Sequence, residues 1–365
     1  MSYTEEKIYH LKDYVEYVTE LGKRKAVKAQ TPPVLWFRGH FKQEYQLRPS
    51  LFRMVELNEQ PAEMGVASGR ALQEEMRYQH YIAKNYHFLN KNPDTKLNWL
   101  ELMQHHSVKT RLLDWSESMF HPLIFALESF FDGEKYTTEQ RIEGSPNVWV
   151  FEPVEWNRKA LEVLVQSRGV LEECIDDILC YRYPKIRKRV KKRLYSLKKY
   201  LPDYLQMKGS DHLEGIFNLS IIEKELKDLT QEKLLYLLTE GEYYYCLFYV
   251  LYQVYLTTKL RSREEVLPLA IVESYHSDRI RAQRGAFTIF PYYEEDEKMR
   301  LLRKAEIHLD AMENMPLCNQ YLHKIRICNQ DEIAFEIMNA GLNTSWLYPE
   351  MPVVSNAIEN REVIF

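Results

Sequence analysis

The sequence predicts an α+β fold: a small mixed β-sheet wrapped by helices, with a mainly helical lobe inserted into it. Three observations predict it. Short runs rich in β-branched and aromatic residues stand at Val34-Leu35-Trp36-Phe37 and Asn147-Val148-Trp149-Val150-Phe151, and such runs return only after residue 265. The block between, 154–264, reads as helix and differs in character from its flanks, with an acidic patch (Glu172, Glu173, Asp176, Asp177) followed by a basic run from Lys185 to Lys199. A chain of 365 residues with 45% hydrophobic and 28% charged residues also has ordinary globular composition, enough to bury a large core without disulfides or metals. The expected organisation is an N-terminal helix in 1–30, a first sheet-bearing part in 31–153, the helical insertion in 154–264 and a second sheet-bearing part in 265–365.

The elements follow in chain order. Ile8, Leu11, Val15, Val18 and Leu21 recur at spacings of three and four, which predicts an amphipathic helix over 5–22. Thr31-Pro32-Pro33 ends that pattern, and Val34 to Phe37 reads as a short buried strand ending at Arg38-Gly39. Helical spacing resumes from about 67 to 92, with Leu72, Met76, Tyr78 and Ile82 among its apolar positions, and a second helix covers roughly 97–105 after the loop Asn92-Pro93-Asp94. Thr110 to Trp115 reads as a compact irregular segment, and Pro122 to Phe131 as an apolar helix. Further strands are expected at Leu267–Val272, at Ala286–Phe290 and at Lys324-Ile325-Arg326-Ile327, the last followed by a helix over 330–340 that Gly341 stops.

A net charge of -4 does not advertise nucleic-acid binding by the whole chain, although a local basic stretch still can. The five cysteines are sparse and form no CxxC pair, so neither a disulfide framework nor a thiolate zinc site is indicated, and a reducing compartment is the simplest reading. Met1 to Lys25 is charged and lacks the apolar core of a signal peptide. The longest apolar run, Tyr243 to Leu256, has 14 residues and is interrupted by Gln253; a membrane span needs about 20. A buried helix, no membrane partner and a cytoplasmic location are expected.

Five stretches carry chemistry. In Trp36-Phe37-Arg38-Gly39-His40 an arginine at a strand end offers a planar five-donor fork suited to phosphate or carboxylate, and Gly39 permits close approach; the plainer reading is an arginine paired with a buried acid. Arg48, Ser50 and Arg53 flank Pro49 and make a second candidate phosphate contact, or an ordinary exposed turn. Gln104-His105-His106 through Thr110-Arg111-Leu112-Leu113-Asp114-Trp115-Ser116 packs donors, acceptors and an aromatic face into a dozen residues. There Arg111 and Asp114 are spaced to pair with each other, and Trp115 either stacks a flat ring or caps the core. Adjacent histidines diverge and are poor co-ligands, so no metal is expected. The fourth stretch, Asp278 to Phe287 with Gln283 and Gly285, is a polar loop leading into a strand. The fifth is the basic run of 185–199, where Ile186, Val190, Leu194 and Leu197 form a narrow apolar stripe on a helix otherwise exposed to solvent, or to nucleic acid or an acidic partner. The expectation is that Arg38, Arg111, Asp114 and Gln283 meet in one cleft for a small anionic ligand or nucleotide.

Phe37-Arg38-Gly39, Leu47 to Arg53 around Pro49-Ser50, Gln104-His105, Thr110 to Trp115, Pro122-Leu123, Arg279-Ile280 with Gln283 to Phe287, and Gly341-Leu342-Asn343 with Leu347-Tyr348-Pro349 together resemble the FRG domain of bacteria and phages. The resemblance runs from about 30 to 351 and is interrupted by 154–264. That family brings no well-established activity. A weaker resemblance is to arginine-type ADP-ribosyltransferases: a strand ending in aromatic-Arg-Gly, then Trp115-Ser116-Glu117-Ser118 before an apolar helix, then a polar loop into Gly285 and Phe287. It implies that Arg38 anchors NAD, in a toxin or phage-defence effector. Gly39, Arg48, Ser50, Arg53 and Trp115 are the further binding candidates, and Arg111, Asp114, Gln283 and His105 the catalytic candidates, with Arg111 expected to hold the anion beside Arg38 and Asp114 to orient Arg111 or a substrate hydroxyl. Where that class places its catalytic Glu, this chain has Asp278-Arg279, with Glu273 and Gln283 nearby.

Overall fold

The computed structural model describes residues 5–26, 33–53, 66–89, 92–131, 145–177, 184–205, 216–257, 266–272, 281–292, 310–342 and 344–347. Seven strands are found among them: β1 (Glu5–Ile8), β2 (Trp36–His40), β3 (Leu112–Ser116), β4 (Asn147–Phe151), β5 (Leu269–Ile271), β6 (Gly285–Ile289) and β7 (Leu322–Ile327). They form one sheet in the order β1-β7-β4-β2-β3-β6-β5. β1 runs parallel to β7, and the other neighbours are antiparallel. The fold is α+β, and the sheet draws strands from both sides of the helical stretch that separates β4 from β5.

Helices α1 (Leu11–Ala26), α2 (Val66–Asn85), α3 (Lys96–His105), α4 (His121–Ala126) and α5 (Glu128–Phe131) precede β4. Then come α6 (Pro153–Gln166), α7 (Arg168–Asp177), α8 (Pro184–Tyr204), α9 (Leu219–Lys227), α10 (Gln231–Thr239) and α11 (Tyr243–Leu251), whose last turn widens to a π-helix over Tyr252–Leu256. After β6 follow α12 (Cys318–Tyr321), α13 (Gln330–Asn339) and α14 (Thr344–Leu347). No described helix is long and apolar enough to cross a membrane.

Alternation along β4 explains how the sheet is covered on both faces. Trp149 and Phe151 enter one core with Trp36, Trp115 and Trp156, while Val148 and Val150 enter another with Phe37, Leu123, Ile325 and α1. A third core fills the helical region. There Val190, Leu194, Leu197 and Leu201 of α8 are buried as one stripe, as the spacing of its apolar residues predicts.

Three expectations are corrected. Residues 5–8 are a strand and not the first turn of a helix: the Asp13 carboxylate accepts from the amides of Tyr9 and His10, both at 3.0 Å, which closes α1 at its N-terminal end and frees Glu5–Ile8 to pair with β7. Residues 112–116 are a strand and not irregular, in register with β6 over five pairs. Leu112, Leu113, Trp115 and Ser116 are buried and Asp114 is exposed, so the segment lacks the period-two pattern that marks a strand in sequence. The apolar helix after Pro122 is also interrupted at Leu127, giving α4 and α5.

Two buried ion pairs tie loops to the sheet. Arg111 Nε lies 3.2 Å from Glu74 Oε2 of α2, with both side chains fully buried, and the Arg111 amide donates to Glu74 Oε1 at 3.0 Å. Tyr292 donates its hydroxyl to the same carboxylate, and the guanidinium lies over its ring at 4.1 Å. Arg48 Nε lies 2.9 Å from Asp310 Oδ1, again buried. Removing one partner strands a charge in the interior, whereas removing both removes the problem. Arg111→Met is therefore expected to lower stability by about 3–5 kcal/mol, and Arg111→Met with Glu74→Gln to recover much of that loss, as read by urea unfolding.

Candidate functional site: a split in the sheet

β2 and β3 are neighbours, yet Phe37 and Ser116 are their single register pair, whereas β2 pairs with β4 and β3 with β6 over five residues each. Past Phe37 the strands part. The next wide rung would join Gly39 to Asp114, and it does not form. Instead Arg38 Nη1 donates to the Asp114 carbonyl at 2.6 Å, so a guanidinium satisfies an acceptor that a strand amide would otherwise take. A cleft of about 640 Å³ lies along the split. Its walls come from β2, β3 and β6, from the loop after β2, from the end of α3, and from α4 and α5.

Gly39 makes the split compatible with the helix behind it. A Cβ at this position would sit 1.9 Å from the Pro122 carbonyl oxygen and 3.0 Å from the Ala126 nitrogen, so α4 lies on β2 only because position 39 has no side chain. His40 then fixes Arg38 from the other side. Arg38 Nε donates to His40 Nε2 at 3.0 Å, which leaves the imidazole proton on Nδ1. Burial holds the His40 pKa well below its ordinary value of 6.5, and the cations of Arg38, Arg53 and Lys324 push the same way. Arg38 Nη2 makes no hydrogen bond among the described residues.

Asp114 faces the cleft with its side chain 56% exposed. Gln104 Nε2 donates to Oδ1 at 2.6 Å, and Oδ2 lies 3.6 Å from Arg38 Nη1. Gln104 is itself held, because its carbonyl accepts from the Thr110 hydroxyl, and the Thr110 amide donates to Ser50 Oγ at 3.3 Å. Arg53 donates from Nε and Nη2 to the Arg48 carbonyl at 2.9 and 2.7 Å, and has no carboxylate within ion-pair distance among the described residues. Burial lowers the Arg53 pKa, and the nearby Arg38 adds to the effect. These two guanidiniums therefore repel each other across one wall. Phe37, Phe41, Tyr45, Phe125 and Phe287 supply aromatic surface, and Glu101, Glu128, Lys42 and His105 complete the lining.

Residues 34–135 match the family model described as the FRG domain. The chain carries an FRG domain. Comparison with curated proteins and with solved structures gave no match, and nothing found supports the likeness to ADP-ribosyltransferases.

Within the FRG domain, the cleft brings together Arg38, Gly39, Arg53, His105, Asp114 and Trp115, and Gln283 joins them from downstream. Three other residues do not line it. Arg111 is sealed against Glu74, Arg48 is sealed against Asp310, and Ser50 is engaged with Thr110. The expected convergence of Arg38 and Arg111 is thus corrected: Asp114 faces Arg38, and Arg111 has a remote partner in α2 that local spacing does not reveal. Trp115 caps the core, 3% exposed, with its ring stacked on Phe151 at 4.8 Å and Nε1 donating to Thr288 Oγ1 at 3.1 Å. Gln283 borders the cleft, but its amide donates to the Leu347 carbonyl at 3.1 Å, and its own carbonyl takes Ser116 Oγ at 2.7 Å and His121 Nδ1 at 2.9 Å. Asp278, Arg279 and Glu273 lie outside the described residues.

Sequence reasoning assigned no role to Gln104, His40, Glu101 or Glu128. Strand alternation offered a signal for His40, which lies two residues from Arg38 on the same face. Helical spacing offered one for Glu101 with His105, four apart on α3. The basic face of α8 is laced to acids: Arg187 to Glu172 and Asp176, Lys191 to Glu172, and Arg189 to Glu240. Lys185, Lys188 and Lys192 stay exposed. Away from the cleft, His10, Glu332 and Glu336 have ligand atoms within 4.8 Å of one another, but Glu336 already closes α1 by accepting from the Leu11 amide at 2.5 Å.

Two outcomes are expected. Gly39→Ala meets backbone rather than a movable side chain, and should destabilise the protein by about 3 kcal/mol or more in thermal unfolding. His40 is held neutral in the fold, so below pH about 6.5 the unfolded chain binds a proton that the native state refuses. Its contribution to stability is full above that value and declines as pH falls toward the depressed native pKa. His40→Gln should flatten this acid limb of the stability profile.

Proposed function

We propose that the FRG domain binds a small anionic ligand of nucleotide size in the split of its sheet. The observation that carries this reading is the pair Arg38 and Arg53. They come from different elements, each is fixed by bonds to main chain or to His40, and they stand together on one wall, where Arg53 has no carboxylate within ion-pair distance among the described residues and Arg38 meets only the exposed Asp114, at 3.6 Å. Their mutual repulsion is relieved when an anion bridges them, and guanidinium forks suit phosphate. The cleft volume of about 640 Å³ falls in the range of small-ligand sites, and its aromatic residues offer faces for a flat ring.

The enzymatic form of this reading takes NAD as substrate, in ADP-ribosyl transfer or NAD glycohydrolysis, as a toxin or phage-defence effector. Arg38 would hold a phosphate, and a carboxylate of the same cleft, Asp114, Glu101 or Glu128, would face the developing oxocarbenium charge. Incubation with NAD labelled in the nicotinamide and in the adenosine moieties separates the outcomes. Nicotinamide release marks the enzyme, whereas saturable binding without turnover marks a binding module. Arg53 bonds only to a main-chain carbonyl, so Arg53→Ala should leave the fold intact. It is expected to weaken ADP or NAD binding about tenfold to a hundredfold by calorimetry, the worth of one charge-assisted contact. Equal affinity in wild type and variant removes the reading.

A further inference from the structure

We infer that the anion taken by this cleft carries a ribose, and that a ribose hydroxyl donates to Asp114. The inference rests on the nucleotide reading above and names the part of the ligand that the arginines do not explain. Asp114 is the unusual group of the site. It stands at the mouth of a strand pair that has opened, more than half exposed, beside two guanidiniums that call for an anion. A carboxylate at an anion site repels the ligand unless the ligand brings it a donor.

The surroundings of Asp114 point to that donor. Oδ1 is occupied by Gln104 Nε2 at 2.6 Å, and the Thr110 hydroxyl fixes Gln104 in turn, so the carboxylate is held in one orientation from behind. Oδ2 is left at 3.6 Å from Arg38 Nη1, an ion-pair distance and longer than a hydrogen bond. Beyond this one long ion pair, Oδ2 makes no hydrogen bond among the described residues and has room for a further donor. A carboxylate only accepts, so the incoming group is a donor. A second cation is disfavoured there, because Arg38 and Arg53 already stand on that wall. A neutral hydroxyl meets the requirement without charge conflict. Arg38 connects the two needs: Nη1 is the atom nearest Asp114, and Nη2 remains for a phosphate. The anion and the hydroxyl are thus read by neighbouring atoms, and a sugar phosphate presents both within one ring. A free phosphate brings no hydroxyl-bearing ring, and a dideoxynucleotide brings the anion and base without the donor.

Asp114→Ala is a clean probe. Arg38 bonds the main-chain carbonyl of residue 114, which the substitution retains, and the side chain removed is exposed. ADP and 2′,3′-dideoxy-ADP are titrated calorimetrically into the full-length wild-type protein and the variant, with thermal unfolding checked for both. The wild type is expected to bind ADP about tenfold or more tightly than the dideoxy compound, as for a hydroxyl donating to a charged acceptor. Asp114→Ala should abolish that preference by weakening ADP alone, and Gln104→Leu, which leaves the carboxylate unheld, should reduce it. Equal wild-type affinity for the two compounds overturns the inference and leaves the nucleotide reading standing. A preference that survives in Asp114→Ala overturns it as well. If neither compound binds and NAD does not bind either, the nucleotide reading fails first and takes this one with it.

Discussion

At the centre of the sheet, β2 and β3 hold together through one backbone rung at Phe37 and Ser116 and through the guanidinium of Arg38 on the Asp114 carbonyl. The rest of the cleft follows from that substitution of a side chain for a ladder. Strands that separate leave main-chain acceptors unpaired, and buried acceptors demand partners. Arg38 supplies one, from Nη1 to the Asp114 carbonyl, while its Nε holds His40. Gly39 completes the constraint, since only a residue without Cβ lets α4 lie close enough to back the split.

The arginines of the region are divided between sealed interior pairs and the wall of the cleft. Arg111 and Arg48 each have an acid brought from far along the chain, Glu74 and Asp310, and both pairs are sealed from water. Arg38 and Arg53 are instead steadied by carbonyls and by a neutral histidine, and the one carboxylate near Arg38, Asp114, is exposed at the cleft and not sealed with it. A carbonyl or a neutral histidine fixes a guanidinium without taking its charge, whereas a sealed carboxylate takes both.

Much of the architecture was legible in the sequence because it depends on local pattern. β4 lies where its β-branched and aromatic run predicts, and α3, α8 and α13 follow their apolar periodicity. β3 was not legible, because burial on both faces and one exposed Asp erase its alternation. β1 was hidden because Ile8 happens to extend the helical spacing of α1. The site was legible in part. Arg38, Gly39, Asp114 and Gln283 border one cleft as their positions near strand ends suggest. Arg111 was misassigned, because three-residue spacing to Asp114 is a local cue and its partner Glu74 is 37 positions away. In a β-strand, residues three apart face opposite sides, so recognising 112–116 as a strand would already have argued against that pairing.

The split also bears on the FRG domain as a unit. Its matched stretch, 34–135, contains β2 and β3, which share a single rung; their full ladders are made with β4 and β6, both beyond residue 135. A fragment cut to the matched stretch would carry two strands with open edges on their outer sides and almost nothing between them, a template for aggregation and not a miniature of the parent. The matched stretch therefore depends on flanking strands from outside it, and the far wall of the pocket, with Gln283 and Gly285 to Phe287, is built from residues that the stretch does not contain.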